Sequence, residues 1–113
     1  MAEQWGWRGA SGASYGYWVV GIGTRLRPVT GNYIFAKRSL SGGWNAVYVG
    51  QGDLAVRTDL SRHFKGILIR SLGATHVHIR ENASENERVI EKADVLDGNP
   101  EAFPPTGCNE SVD

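Results

Sequence analysis

The sequence predicts a small domain of mixed structure, α/β of the α+β kind, with its elements in the order strand, strand, helix, strand, helix and irregular tail. Three observations carry this reading. β-rich runs occur at Asn32–Arg38, Asn45–Gly50 and Thr75–Arg80; helical signals follow the second and the third; and Pro100, Pro104 and Pro105 deny regular structure to the end of the chain. At 113 residues the chain can bury roughly two thirds of its unfolded surface in one core without staples.

Residues 1–30 read as an N-terminal arm. The first fourteen are rich in Gly, Ala and Ser around Trp5 and Trp7, the composition of a flexible lead whose aromatics dock on the domain, and Tyr15–Gly23 is apolar enough for one extra strand or an extended arm. "RLRPVTG" then carries the Pro and Gly marks of a connection. In "NYIFAKR" Tyr33, Phe35 and Lys37 alternate with Ile34 and Ala36, and a short glycine-containing link leads to "NAVYVG", so the two runs predict an antiparallel hairpin. Asp53 is a good N-cap for a helix reaching about Lys65, with Leu54, Leu60, Phe64 and Ile67 as its apolar stripe. "THVHIR" alternates as a half-buried third strand. Ser84 and Glu87 then have the spacing of a capping box for a helix through about Leu96, with Val89, Ile90, Ala93 and Leu96 facing inward.

Twelve Lys and Arg balance twelve Asp and Glu, so no overall basic field announces a nucleic-acid binder, and an anionic ligand must be held by local charge. Cys108 is the single cysteine, which excludes an internal disulfide and a multi-cysteine metal site and fits a reducing, cytoplasmic compartment. "YWVVGIG" is too short for a signal peptide or a membrane span.

"GNY" at Gly31–Tyr33, "YVG" at Tyr48–Gly50 on the next strand and Arg57 on the following helix, with "ERVIEKADVL" and "PPTGCN" further on, resemble the GIY-YIG nuclease family in order and spacing. The resemblance covers about Gly31–Asn109 and leaves the first thirty residues outside. It implies a small three-stranded antiparallel sheet flanked by helices and hydrolysis of DNA phosphodiesters with one divalent metal ion, Mg²⁺ or Mn²⁺. A homodimer would be needed where such a one-site enzyme cuts both strands.

The same resemblance assigns roles. Tyr33 would be the general base or its close helper, and Tyr48 would hold the same water or the phosphate. A free tyrosine titrates near 10, so that role needs a cationic or metal neighbour to lower it. Arg57 would clamp the phosphate, since a guanidinium engages two oxygens at once and stays charged. Gly50 and Gly52 would let the backbone turn beside the substrate, where a Cβ would crowd. The family often places a His or Tyr one turn after the arginine, a position held here by Ser61, and His63 nearby is the candidate; Asn109 would support the site from the tail. Apart from the resemblance, a chain of zero net charge must hold phosphate with a local cluster such as Arg57, Arg62, Lys65 and His63. For the metal, aligning Val95 and Leu96 with the family pattern puts Lys92 in the acid's position and Glu91 one residue early; Glu91 directly follows the apolar "VI" and is taken as the ligand.

Plain structural readings stand beside these. His76 and His78 share a strand face but lack a third ligand at metal spacing, and solvent-facing histidines explain them. Tyrosines on strands are ordinarily packing residues. Two functions follow: a metal-dependent DNA endonuclease, or a module that keeps the nuclease-like fold and binds nucleic acid or serves structurally without cutting.

Overall fold

The alternation in "NYIFAKR" and "NAVYVG" does produce a hairpin, and everything else is arranged around it. The computed structural model describes residues 3–110. Its strands are β1 (Glu3–Arg8), β2 (Ser14–Gly21), β3 (Thr30–Arg38), β4 (Trp44–Asp53) and β5 (His76–Glu81), and its helices are α1 (Leu54–Arg57), α2 (Gly66–Ser71) and α3 (Glu85–Gly98), with a 3₁₀ turn at Pro100–Ala102.

The sheet is antiparallel and has five strands in the order β1-β2-β5-β3-β4, not the three expected. The two additional strands come from residues 1–30: β2 falls on Tyr15–Gly23, read as one extra strand or an extended arm, and β1 on the residues read as a flexible lead. Trp5 pairs with Tyr17 and Trp7 with Tyr15, and β2 then lies along β5, so the N-terminal residues extend the central sheet. Aromatic side chains suit a pleated, half-buried surface, and here the aromatics of "QWGW" and "YGYW" outweigh the glycines between them.

Both faces of the sheet are covered. Ile34, Ala36, Trp44, Ala46 and Val49 pack with Trp7, Tyr17 and Val19 under Val95 and Leu96 of α3. On the opposite face Tyr33, Phe35, Val47, Tyr48 and Val77 pack with Leu54, Leu60, Ile69 and Cys108. A register shift between Phe35 and Ala36 leaves Val47 as the extra residue of a bulge in β4, which brings Val47 and Tyr48 into the same cluster.

The helices depart from the pattern read in the sequence. Asp53 caps α1 by accepting a hydrogen bond from the Val56 amide, as expected, but the helix ends at Arg57 and the chain turns through residues 58–65 before α2 begins. The proposed stripe contained a six-residue gap from Leu54 to Leu60, too wide for one helix face; Leu54 and Leu60 are buried, whereas Phe64 and Ile67 are 74% and 91% exposed. In α3 the Ser84 cap forms, but the Ser84 amide donates to Asn82 rather than to Glu87. The inward face of α3 is also different: Arg88, Glu91, Val95 and Leu96 are buried, and Val89 and Ile90 are exposed.

His78 is a further correction. It is fully buried in the middle of the sheet, its Nδ1 accepting a hydrogen bond of 2.9 Å from Trp7 Nε1, so it does not face solvent. No helix among the described residues is long and apolar enough to cross a membrane.

Candidate phosphate-binding site

Gly50 pairs directly with Tyr33 across the hairpin, and a Cβ at Gly50 would overlap the Tyr33 ring and its hydroxyl. The glycine is what lets Tyr33 lie over β4. Two residues later Gly52 adopts φ +140°, a left-handed conformation that disfavours any side chain, and the Arg57 side chain folds back to within 3.1 Å of where its Cβ would stand. The two glycines therefore have separate jobs: one makes room for a tyrosine, and the other turns the chain into α1 so that Arg57 returns over the strand end.

His63, on the turn between α1 and α2, closes the group. Its ring meets Tyr48 edge-on with centroids 5.0 Å apart, and its Nε2 lies 3.2 Å from the Tyr33 hydroxyl. The Lys65 amide donates to His63 Nδ1 at 3.0 Å. That nitrogen must be an acceptor, so the neutral ring carries its proton on Nε2 and donates it to Tyr33 Oη. Tyr33 and Tyr48 themselves stack with centroids 6.3 Å apart.

The electrostatics are those of a half-desolvated cationic corner. Burial pushes the Tyr33 hydroxyl well above the ordinary tyrosine value, and Tyr48 adds to this, while the Arg57 charge pulls the other way. Tyr48 is likewise raised, by burial first and then by Cys108, with Arg57 again opposing. Burial, Arg57 and Lys65 together hold His63 below its usual value. The lowering that a tyrosine base requires is therefore not met by Arg57 here, because desolvation outweighs it.

Of the ten positions singled out in the sequence, Tyr33, Tyr48, Gly50, Gly52, Arg57 and His63 come together. Arg57 is exposed and takes part in none of the ion pairs among the described residues. Arg62 is exposed on the same turn. Lys65 is committed elsewhere: its Nζ donates to the Cys108 carbonyl at 2.6 Å and pairs with Glu110 at 2.8 Å. Asn109 pins the tail to β4, its Oδ1 accepting from the Val49 amide and its Nδ2 donating to the Val49 carbonyl. It supports the site's wall rather than reaching into it.

Glu91 lies on the other face of the sheet. It is 3% exposed and belongs to α3; one carboxylate oxygen accepts from the Tyr17 hydroxyl at 2.5 Å, the other from Arg80 Nε at 3.1 Å. Arg80 stands opposite Asn32 in the β3–β5 pairing, and Asn32 donates to the Arg88 carbonyl of α3; Tyr33 and Ile79, one residue along, point to the α1–α2 side. A hydrated divalent cation needs free oxygen ligands. Glu91 has both of its oxygens occupied, one by a cation, and no group of three His, Cys, Asp or Glu suited to a metal occurs among the described residues. As arranged, Glu91 offers no free oxygen to Mg²⁺ or Mn²⁺.

Tyr17 and Arg80, which fix Glu91, were not singled out in the sequence; partners more than ten residues away along the chain leave no local signal. No family model, curated protein or solved structure matches this chain.

Proposed function

We propose that this chain binds the phosphodiester backbone of DNA on the face where Tyr33, Tyr48, His63 and Arg57 converge. The observation that carries this reading is an exposed, carboxylate-free Arg57 held beside a neutral His63 and two tyrosine hydroxyls. A guanidinium there can grip two phosphate oxygens and the neighbouring rings can add hydrogen bonds, while the carboxylate that acts on Tyr48, Glu110, is held by Lys65. In a chain of zero net charge, binding rests on this corner. The test is an affinity titration of labelled DNA with wild type and Arg57→Ala across a range of salt; loss of affinity in the variant supports the reading, and equal affinity overturns it.

A second reading, metal-dependent hydrolysis of the bound phosphodiester as the GIY-YIG resemblance implies, is favoured by one observation: Tyr33, Tyr48 and Arg57, to which that resemblance gives roles, lie together. The position of Glu91 weighs against it. Nicking of supercoiled plasmid in Mg²⁺ or Mn²⁺, abolished both by EDTA and by Arg57→Ala, would establish the hydrolase. Binding without nicking would leave a DNA-binding module.

A further inference from the structure

Phe64 follows His63 and is 74% exposed. Its ring is nevertheless held in place. It stacks on His63 with centroids 5.0 Å apart and an interplanar angle of 15°, and it meets the Tyr48 ring edge-on at 6.2 Å. A large aromatic left in water but braced by two other rings, one of which hydrogen-bonds Tyr33, is a surface that gains by being covered.

The charges around it say by what. Arg57 and Arg62 are exposed nearby in the chain; the Lys65 ammonium stands 5.8 Å from the Phe64 ring centroid but is already paired with Glu110. A flat π-face with two exposed arginines near it suits a nucleobase whose phosphate is held by those arginines, and stacking of bases on aromatic side chains is tolerant of sequence. A base inside a duplex cannot lie on Phe64, because both of its faces are already stacked.

We propose that Phe64 is a stacking platform for an unpaired base, so that this site takes single-stranded or locally unpaired DNA in preference to duplex. The inference rests on the phosphate-binding reading above and adds the substrate class. His63 thereby gains a second role, since its ring, fixed by the Lys65 amide, sets the plane of the platform.

The test uses three labelled probes of equal length: oligothymidylate, an abasic strand with the same backbone charge, and a duplex. Wild type is expected to bind oligothymidylate on the order of tenfold tighter than the abasic strand, Phe64→Ala to remove that difference, and Phe64→Trp to keep it. Truncating so exposed a ring leaves the core intact, which an unchanged melting curve would verify. Equal binding of the abasic and thymidylate strands by wild type, with Arg57→Ala still weakening both, would overturn the stacking platform and leave phosphate binding standing. If Arg57→Ala weakens neither, or no probe binds, the phosphate reading falls and the platform with it. Ile67 and Leu68 are also exposed here, beside a cleft of about 450 Å³. A dimer in sedimentation that Phe64→Ala dissociates, without any preference for bases, would make the patch an interface between two copies and likewise overturn the proposal.

Discussion

Tyr33 and the space over Gly50 form one unit, and the consequences of disturbing it are specific. A methyl group at Gly50 would occupy the volume of the Tyr33 ring, so Gly50→Ala is expected to destabilise the fold by about 1–3 kcal/mol, the usual cost of overpacking. Differential calorimetry would measure it. Displacing Tyr33 should also break its contact with His63, so DNA affinity should fall together with stability. Arg57→Ala should separate the two quantities. Arg57 is exposed at the end of a four-residue helix, and its removal should move the melting temperature very little, while lowering DNA affinity and reducing the slope of log K against log salt by about one. A melting temperature that drops with affinity would show that Arg57 supports the turn instead.

At the level of elements, α3 illustrates what a hydrophobic pattern conceals. Val89 and Ile90 invited an inward assignment, yet the helix turns Arg88 and Glu91 to the sheet because both find partners there: Arg88 Nε donates to Gln51 and its Nη1 to the Asn82 carbonyl, while Glu91 takes Tyr17 and Arg80. Satisfied polar groups can displace aliphatic ones from a buried face, and two of these partners, Gln51 and Tyr17, lie on strands far away in sequence. Local chemistry was legible. Asp53 and Ser84 cap their helices where their residue types and spacing indicate, and the hairpin and its glycines follow from the alternation of residues 32–50. For the site, the glycine contexts pointed to Tyr33 and Tyr48 and only the GIY-YIG resemblance to Arg57; the exposure of Phe64 was not legible, because its spacing mimicked a buried stripe. Glu91→Gln should loosen α3 by about 1–3 kcal/mol through the lost charge on Arg80 and the weaker acceptor for Tyr17. It should leave DNA binding on the opposite face unchanged. Lost binding at unchanged stability would instead place Glu91 in the site.

Across the whole molecule, the N-terminal strands were the least legible part because a glycine-rich segment reads locally as a linker, whereas its aromatics are held by contacts made at long range. Trp7 on the edge strand β1 reaches over β2 to His78 on β5, and Trp44 of β4 packs on the same imidazole with centroids 4.7 Å apart. One histidine thus joins both edges of the sheet, and it does so only when neutral. Burial, with His76 and Arg38 adding to it, pushes its value down to about 3 from the ordinary 6.5. Since the folded value is depressed, the unfolded chain takes up a proton first on acidification. The stabilisation is fully present above pH 6.5 and is lost progressively as pH falls toward 3. His63, also held below its usual value, contributes in the upper part of the same window. Each such group can change stability by up to about 1.4 kcal/mol per pH unit. Between pH 6 and 5, above the main titration of carboxylates, urea unfolding of wild type should therefore weaken with acid. The double variant Trp7→Phe/His78→Leu, which removes donor and acceptor together, should lower that slope by about one group's share, leaving what His63 contributes. An unchanged slope would mean that His78 takes up no proton on unfolding in this range, and that the join between the N-terminal hairpin and the central strands is not what acid releases.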